Sequence, residues 1–310
     1  TALLKFFSRS TRTRIISSNF LHFLGIPVMM GTILSDSFLK AKRRLTDRDF
    51  AGKLAGLMDQ NDALPLPIAR PPWTALGKEM ESCVRKAIYD FSLLDQDVTK
   101  IAIALSGGKD SLGLLFLLHS LRGRGFPLFK IQAIHVDGEF SCGAGVNADF
   151  LQSICRELDV EFTICSSTQK REGLECYNCS RERRRLIFNA AKDGGSTIVA
   201  FGHHRDDSAQ TLLLNLLHKA EFAANLPKVH MRDYGVTIIR PLIYLSEDSL
   251  INFAKQYGFA RITCQCPVGQ DSKRKTVAQL IHHMENFFPN ARGNLAKAGL
   301  LYGSNKAANP

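Results

Sequence analysis

The chain has 310 residues, 45% of them hydrophobic and 22% charged, a balance that suits a folded protein of one or two domains and excludes a chain too polar to build a core. No apolar run is long enough to span a bilayer, and the longest, near residues 112–118 and 212–217, fit core helices better. A formal net charge of +11 points to a polyanionic partner such as RNA, against the plainer reading of a charged, soluble surface.

Residues 1–35 carry Lys5, Arg9, Arg12 and Arg14 but no acid. They read either as a targeting segment or as translated sequence upstream of a start at Met29 or Met30, and the second reading is favoured. Residues 36–64 look like a polar helical stretch. Pro65, Pro67, Pro71 and Pro72 then make a connector poorly suited to helix. The expected organisation is an extension over 1–72, a folded domain over 73–300 with a cysteine motif inserted in it, and a flexible tail over 301–310.

Within the folded domain the apolar spacing of Leu76, Met80, Val84, Ala87, Ile88 and Phe91 predicts a helix over 73–94. Strands and helices then alternate. Strand 101–105 precedes helix 111–123, and strand 130–136 precedes helix 146–158. Strand 160–165 precedes helix 180–194, and strand 197–201 precedes helix 206–218. Strand 236–239 precedes helix 246–257, and a short segment follows at 261–264. This alternation predicts an α/β fold, a parallel sheet flanked by helices with ligands at the carboxyl ends of its strands. Ser106, Asp137 and Gly202 each fall just after a strand.

The first of these strand ends is the most informative. Ser106-Gly107-Gly108-Lys109-Asp110-Ser111 joins an apolar strand to an apolar helix. Glycines there let backbone N–H groups converge on an anion at the helix's positive end. Lys109 adds a mobile positive charge and Asp110 a carboxylate able to hold Mg²⁺. The spacing matches neither the Walker A loop nor the Rossmann glycine pattern. The plain alternative is a glycine turn with no ligand.

The eight cysteines, in a chain of this length without a clear secretory signal, favour a reducing compartment and metal or redox roles over disulfides. Cys83, Cys155 and Cys165 sit in apolar patterns that suit buried thiols. Cys176-Tyr177-Asn178-Cys179 is a Cys-x-x-Cys on a loop entering a helix, open to zinc, an iron–sulfur cluster or a redox pair. Cys264-Gln265-Cys266-Pro267 offers a further ligand. Three thiolates suit a [4Fe–4S] cluster with one free iron, and four, with both Cys264 and Cys266, suit closed zinc.

In this order, Ser106–Ser111, Cys176 to Arg184, Gly202-His203-His204-Arg205-Asp206-Asp207, Arg240-Pro241-Leu242 and Cys266 ahead of Lys273-Arg274 resemble the tRNA 2-thiocytidine synthetases. These form a branch of the PP-loop ATP pyrophosphatase superfamily. The likeness runs from about Trp73 to about Leu300. It implies a Rossmann-like PP-loop fold and an ATP-dependent tRNA sulfurtransferase. Such an enzyme adenylates the C2 oxygen of cytidine 32 in the anticodon loop, then replaces that oxygen by sulfur. It implies ATP, Mg²⁺ and a [4Fe–4S] cluster, with Ser106, Gly107, Gly108, Lys109, Asp110 and Ser111 binding ATP and Mg²⁺. Cys176, Cys179 and Cys266 would hold the cluster. Here the second motif is Cys264-x-Cys266 rather than Cys-x-x-Cys, and Cys266 keeps the expected distance from Arg274, leaving Cys264 as the alternative ligand.

His203, together with His204, Asp206 and Asp207, can orient ATP, bind Mg²⁺ or shuttle protons, or Asp206 or Asp207 can cap the following helix. Lys109, Asp110, Asp206 and Asp207 are the expected catalytic set. His135 and Asp137 close the second strand, where the family holds its nucleotide, and Gly202 and His203 complete the nucleotide site. Arg181, Arg183, Arg184, Lys273 and Arg274 flank the cysteines and suit RNA phosphates. The resemblance further implies a tRNA anticodon loop as partner, a cysteine desulfurase as sulfur donor, a homodimer, no membrane association and a cytoplasmic location. Three other readings stand beside it: a tRNA 2-thiouridine synthetase, a lysidine synthetase-like PP-loop ligase that needs no cluster, and a zinc-stabilised RNA-binding protein without catalysis.

Overall fold

The computed structural model describes residues 66–138, 147–168, 176–259 and 273–304. Residues 1–65 of the expected 1–72 extension, the segment 261–264, Cys264, Cys266 and the last six residues lie outside the described residues. Among those described, six strands form one sheet: β1 (Lys100–Ala104), β2 (Lys130–Asp137), β3 (Glu161–Ser166), β4 (Ile198–Ala200), β5 (Lys228–Met231) and β6 (Val236–Ile239). Their order is β3-β2-β1-β4-β6-β5. Every pairing is parallel except β5 with β6, which is antiparallel. Strand β5 is absent from the sequence expectation, and its residues explain why. In Lys228-Val229-His230-Met231 only Val229 is buried, as suits a short edge strand with one covered face.

Eight α-helices are described: α1 (Ala75–Asp90), α2 (Lys109–Leu121), α3 (Ala148–Glu157), α4 (Cys176–Asp193), α5 (Arg205–Lys219), α6 (Glu247–Tyr257), α7 (Lys273–Glu285) and α8 (Ala291–Tyr302). The first six follow the expected pattern within a few residues. Helix α4 begins four residues early, so the whole Cys-x-x-Cys lies inside its first turn rather than on the loop before it. Helices α7 and α8 are additions to the expected set. The buried positions are Val277 and Ile281 on α7 and Ala291, Ala296 and Gly299 on α8, too few or too small to give an apolar stripe. Small residues let α8 come close: a Cβ on Gly299 would lie 2.8 Å from the Cβ of Ala224.

The sheet buries both faces. Ile101 and Ile103 of β1 join α1, α2, α3 and α6 in one core, whereas Ala102, Ile134, Val199 and Ile238 pack under α4 in another. Alternate residues of β1 thus serve opposite layers, the period-two logic of a strand. Helix α2 is buried almost all round, with Leu114, Leu115, Phe116, Leu117 and Leu118 each nearly inaccessible. A third cluster joins α5, α7 and α8 through Ala209, Leu213, Val277, Ile281 and Ala296. Ahead of α1, Ala69 and Trp73 are buried, and the Trp73 ring lies 5.9 Å from Phe253 and 6.0 Å from Tyr257. Among the described residues no helix is long and apolar enough to cross a membrane.

Candidate active site

The strand order reverses between β1 and β4, and in such sheets that point opens a crevice at the carboxyl ends of the strands. Two loops meet there. The first runs from Ser106 to Lys109, with Gly107 at φ +80°, a backbone angle that favours glycine. Gly108 is the N-cap of α2 and supplies no capping side chain, so the amides of the helix's first turn face outward unclaimed by a cap. Ser106 and Ser111 close the loop: their hydroxyls lie 3.2 Å apart, and Ser111 donates to the Gly108 carbonyl at 3.0 Å.

The second loop, Phe201 to His204, follows β4 and presses on the first. A Cβ at Gly202 would fall 3.0 Å from the carbonyl carbon and oxygen of Asp110 and 3.1 Å from the amide nitrogen of Ser111. A side chain there would crowd backbone atoms of α2, so the close approach favours glycine.

Charged groups gather where the loops touch. The Lys109 ammonium lies 3.0 Å from Asp110 Oδ1 and 3.3 Å from Glu247 Oε1, on a residue only 8% exposed. Burial raises the Asp110 pKa above the usual carboxylate range, with the charge of Asp207 adding to it against the pull of His204 and Lys109. Its Oδ1 is buried and receives no directed hydrogen bond. A half-buried carboxylate with such an oxygen, beside Lys109, suits a bound cation. Among the described residues no three His, Cys, Asp or Glu side chains form a ready metal cage. Mg²⁺ at a nucleotide needs only one or two carboxylates, since phosphate and water supply its other ligands.

His204 caps α5. Its Nδ1 accepts from the Asp207 amide at 3.4 Å, and Asp207 Oδ2 accepts from the His204 amide at 3.1 Å, a reciprocal capping box. The ring's Nε2 then faces Asp207 Oδ2 at 3.4 Å and Asp110 Oδ1 at 4.0 Å. Asp207 therefore caps a helix and also faces the crevice. Burial works to raise its pKa, but the neighbouring His204 ring, the Arg274 guanidinium and the hydrogen bond from the His204 amide outweigh it and hold it low.

Asp206 is placed differently. It is 1% exposed. Its Oδ2 accepts from the Glu247 amide at 2.9 Å and from Arg292 at 3.4 Å, and its Oδ1 accepts from Arg205 at 3.1 Å. Oδ2 joins α5 to the starts of α6 and α8, and Oδ1 is taken by Arg205 of α5 itself. His135 is fully buried, with Nδ1 donating to the Leu105 carbonyl at 2.9 Å, so it braces the exit of β1 from beneath. Asp137 is exposed at the end of β2, where its Oδ1 accepts from the Gly138 amide at 2.8 Å.

Arginines form the wall between this crevice and α4. Arg274, at the start of α7, lies 3.4 Å from Asp207 Oδ1 and donates to Thr211 at 3.2 Å. Lys273 meets His218 instead, at 3.0 Å. Arg240, directly after β6, is buried and donates to the Leu226 carbonyl, while its Nε has no hydrogen-bond partner. Burial and the charge of Arg184 push its pKa down to about 10. Burial and Arg240 together push His203 down to about 3, which makes its imidazole neutral at physiological pH. Arg183 also keeps a buried Nη1 without a hydrogen-bond partner. Arg181 leans over the Tyr177 ring at 5.7 Å.

Cys176 opens α4 and Cys179 follows within the same turn. Glu182, a turn further on, accepts from Ser167 and Thr168 at 3.1 Å each and so anchors the start of α4 beside the carboxyl end of β3. Cys155 is fully buried, and burial raises its thiol to about 12, the property of a packing residue. Sequence reasoning misses Glu247 and assigns no role to Arg240, which it names only within the Arg240-Pro241-Leu242 motif. Glu247 looks like an ordinary first-turn acid after the N-cap Ser246. Arg240 carries a usable signal, since it is a lone cation directly after an apolar strand.

A family model described as a PP-loop domain matches residues 78–266. The tRNA-cytidine(32) 2-sulfurtransferase of Syntrophotalea carbinolica is 34% identical over 233 residues, covering 72% of this chain and 88% of that protein. The enzyme of the same name from Anaeromyxobacter dehalogenans is 35% identical over 229 residues, covering 72% and 79%. Among solved structures, the U34-tRNA thiolase NcsA from Methanococcus maripaludis, with its [4Fe–4S] cluster, superposes with a TM-score of 0.60 at 23% identity, covering 72% of this chain and 78% of that one. That likeness is one of fold.

Proposed function

The chain belongs to the tRNA-cytidine(32) 2-sulfurtransferase family of PP-loop proteins, and we infer from its own residues how they carry the reaction. It is an ATP-dependent tRNA sulfurtransferase that replaces the C2 oxygen of cytidine 32 with sulfur. The observation that carries the assignment of roles is the meeting of the Ser106–Ser111 loop and the Gly202–Asp207 segment at the sheet's switch point.

The C2 oxygen of a pyrimidine is a poor leaving group. Its attack on the α-phosphate of ATP releases pyrophosphate and leaves the oxygen bonded to AMP. The Gly107 amide and those of the first turn of α2, which no side chain caps, would receive the phosphates, while the Gly108 amide donates to Ser106 Oγ. Lys109, held by Asp110 and Glu247, offsets the charge that grows on the departing pyrophosphate. Asp110 and Asp207 would hold Mg²⁺ at the nucleotide, and the ion would supply further neutralisation of phosphate charge. His203, neutral at working pH, can accept or donate a hydrogen bond to the nucleotide without adding charge. In the second half, sulfur attacks C2 and AMP leaves with the former oxygen.

A [4Fe–4S] cluster on Cys176, Cys179 and Cys266, when bound, supplies an open iron that holds sulfide as an anion near neutral pH. Cys176 and Cys179 fall within one helical turn, on a helix anchored beside the sheet's carboxyl edge, which supports this donor set. Arg183, Arg184 and Arg274 would meet tRNA phosphates between the two halves of the site. Within the same reading the sulfur comes from a cysteine desulfurase, the enzyme acts as a homodimer, and it works in the cytoplasm where its tRNA is found.

The test is a reconstituted reaction. Anaerobically purified protein, given unmodified tRNA, ATP, Mg²⁺ and sulfide, forms AMP, pyrophosphate and 2-thiocytidine. Cys176→Ser protein should still release pyrophosphate and leave AMP bonded to the RNA, but form no thiolated base. A Cys176→Ser protein of unchanged thiolation would contradict the cluster, and thiolated tRNA without AMP release would contradict the activation step.

A further inference from the structure

Tyr177 lies between the two cysteines of α4, and it is 67% exposed. The other exposed aromatics among the described residues sit elsewhere: Tyr89 at the end of α1, and Phe222, Phe287, Phe288 and Tyr302 around the turns and ends of α5, α7 and α8. On α4 the phenol serves no core. Its visible partner is Arg181, one turn along, whose guanidinium sits over the ring at 5.7 Å. A ring with one face covered by a cation and most of its surface still open is a half-filled stack.

Its neighbours set the direction in which that stack faces. Arg184 lies within electrostatic reach of Arg183 and Arg274, and Arg240 within reach of Arg184. Arg274 in turn pairs with Asp207 at 3.4 Å. Tyr177, under Arg181, thus adjoins a file of cations, Arg183, Arg184 and Arg274, whose last member pairs with Asp207 beside the crevice. Phosphates of a single strand would follow that file, and a base between them needs a flat surface. Unpaired RNA bases are held by stacking on aromatic rings and guanidinium planes. Tyr177 and Arg181 supply one of each.

Resting on the thiolase reading above, we propose that Tyr177, backed by Arg181, is the platform on which a splayed base of the tRNA loop stacks next to the sulfur-bearing end of α4. The ring is a binding and positioning group and takes no part in bond making. Its place between two cysteines then has a reason: the base is presented beside the residues that would hold the sulfur-delivering cluster.

The experiment uses the full holoprotein and an RNA anticodon stem-loop. Tyr177→Trp places a fluorophore on the platform, against a background of one native tryptophan, Trp73, which is buried. Its emission should fall when the stem-loop binds and stay unchanged with a fully paired duplex. Tyr177→Ala should weaken stem-loop binding by about ten-fold and raise KM for tRNA while iron content holds. Tyr177→Phe, which keeps the ring, should bind with wild-type affinity. Unquenched emission from the Tyr177→Trp protein in the bound complex, or Tyr177→Ala binding within about two-fold of wild type, would overturn the proposal. If Tyr177→Ala loses iron, the fluorescence of Tyr177→Trp decides alone. Wild-type protein that binds no stem-loop and releases no AMP would overturn the thiolase reading itself, and this inference with it.

Discussion

The carboxylate of Asp206 accepts the backbone N–H of Glu247 at 2.9 Å, so the acid that follows His204 and Arg205 is spent on fixing the start of another helix. Arg292 and Arg205 occupy its remaining capacity. Glu247, fixed in this way, reaches Lys109 at 3.3 Å. Asp206 thus acts on the site through Glu247, whereas Asp207 faces it.

Asp206→Ala removes a buried acceptor and strands two arginines. The expected cost is about 3 kcal/mol of unfolding free energy, read by denaturant titration. Asp206→Asn, which keeps one acceptor, should cost less. Asp207→Asn should instead leave stability nearer wild type and cut AMP release. Equal stability loss at both positions would remove the distinction.

Gly202→Ala tests the contact between the two loops. The new methyl would meet the Asp110 carbonyl at 3.0 Å, a backbone atom that cannot rotate away. The Lys109 end of α2 must then shift. ATP-dependent AMP release should fall at least about ten-fold, since small misplacements of reacting groups are costly. Cluster absorbance should be unchanged, because α4 lies outside that contact.

Lys109→Met removes the charge facing the leaving pyrophosphate. AMP release should drop by about a hundred-fold or more, with tRNA affinity kept, as measured by single-turnover assay and RNA titration. Glu247→Gln loosens Lys109 without removing it and should fall between Lys109→Met and wild type.

Glu81 gives a pH dependence of folding. Burial alone would raise its pKa, but hydrogen bonds from Trp73 and Arg85 and the charges of Arg124 and Arg85 hold it below the usual value. A depressed carboxylate stabilises the fold fully above its unfolded pKa. That contribution is lost as pH falls through the lower folded value. Glu81→Gln should therefore lower stability at neutral pH and flatten its decline in acid, as followed by thermal melts from pH 7 to about 3.

Much of this was legible in the residues. The alternation of strands and helices yielded the parallel sheet, because buried strands and one-faced helices carry strong periodic signals. The glycine loop was legible because phosphate binding needs φ values and helix ends that few sequences provide. Strand β5 was hidden because an edge strand buries little, and α7 and α8 were hidden because small residues replace an apolar stripe. The roles of Glu247 and Arg240 depend on which chain segments meet at the switch point, and spacing along the chain does not report that. For the same reason Asp206 and Asp207 looked alike in sequence, and only the packing of α6 and α8 separates them.

Thiolation of a cytidine leaves its mark in the cell's own tRNA. Nucleosides from tRNA of cells lacking this gene, and of the same cells carrying wild-type or Lys109→Met protein, are separated and weighed by mass spectrometry. 2-Thiocytidine alone should disappear, wild-type protein should restore it, and Lys109→Met should not. Loss of a 2-thiouridine, loss of lysidine, or an unchanged set of nucleosides would show that the chain does not thiolate cytidine.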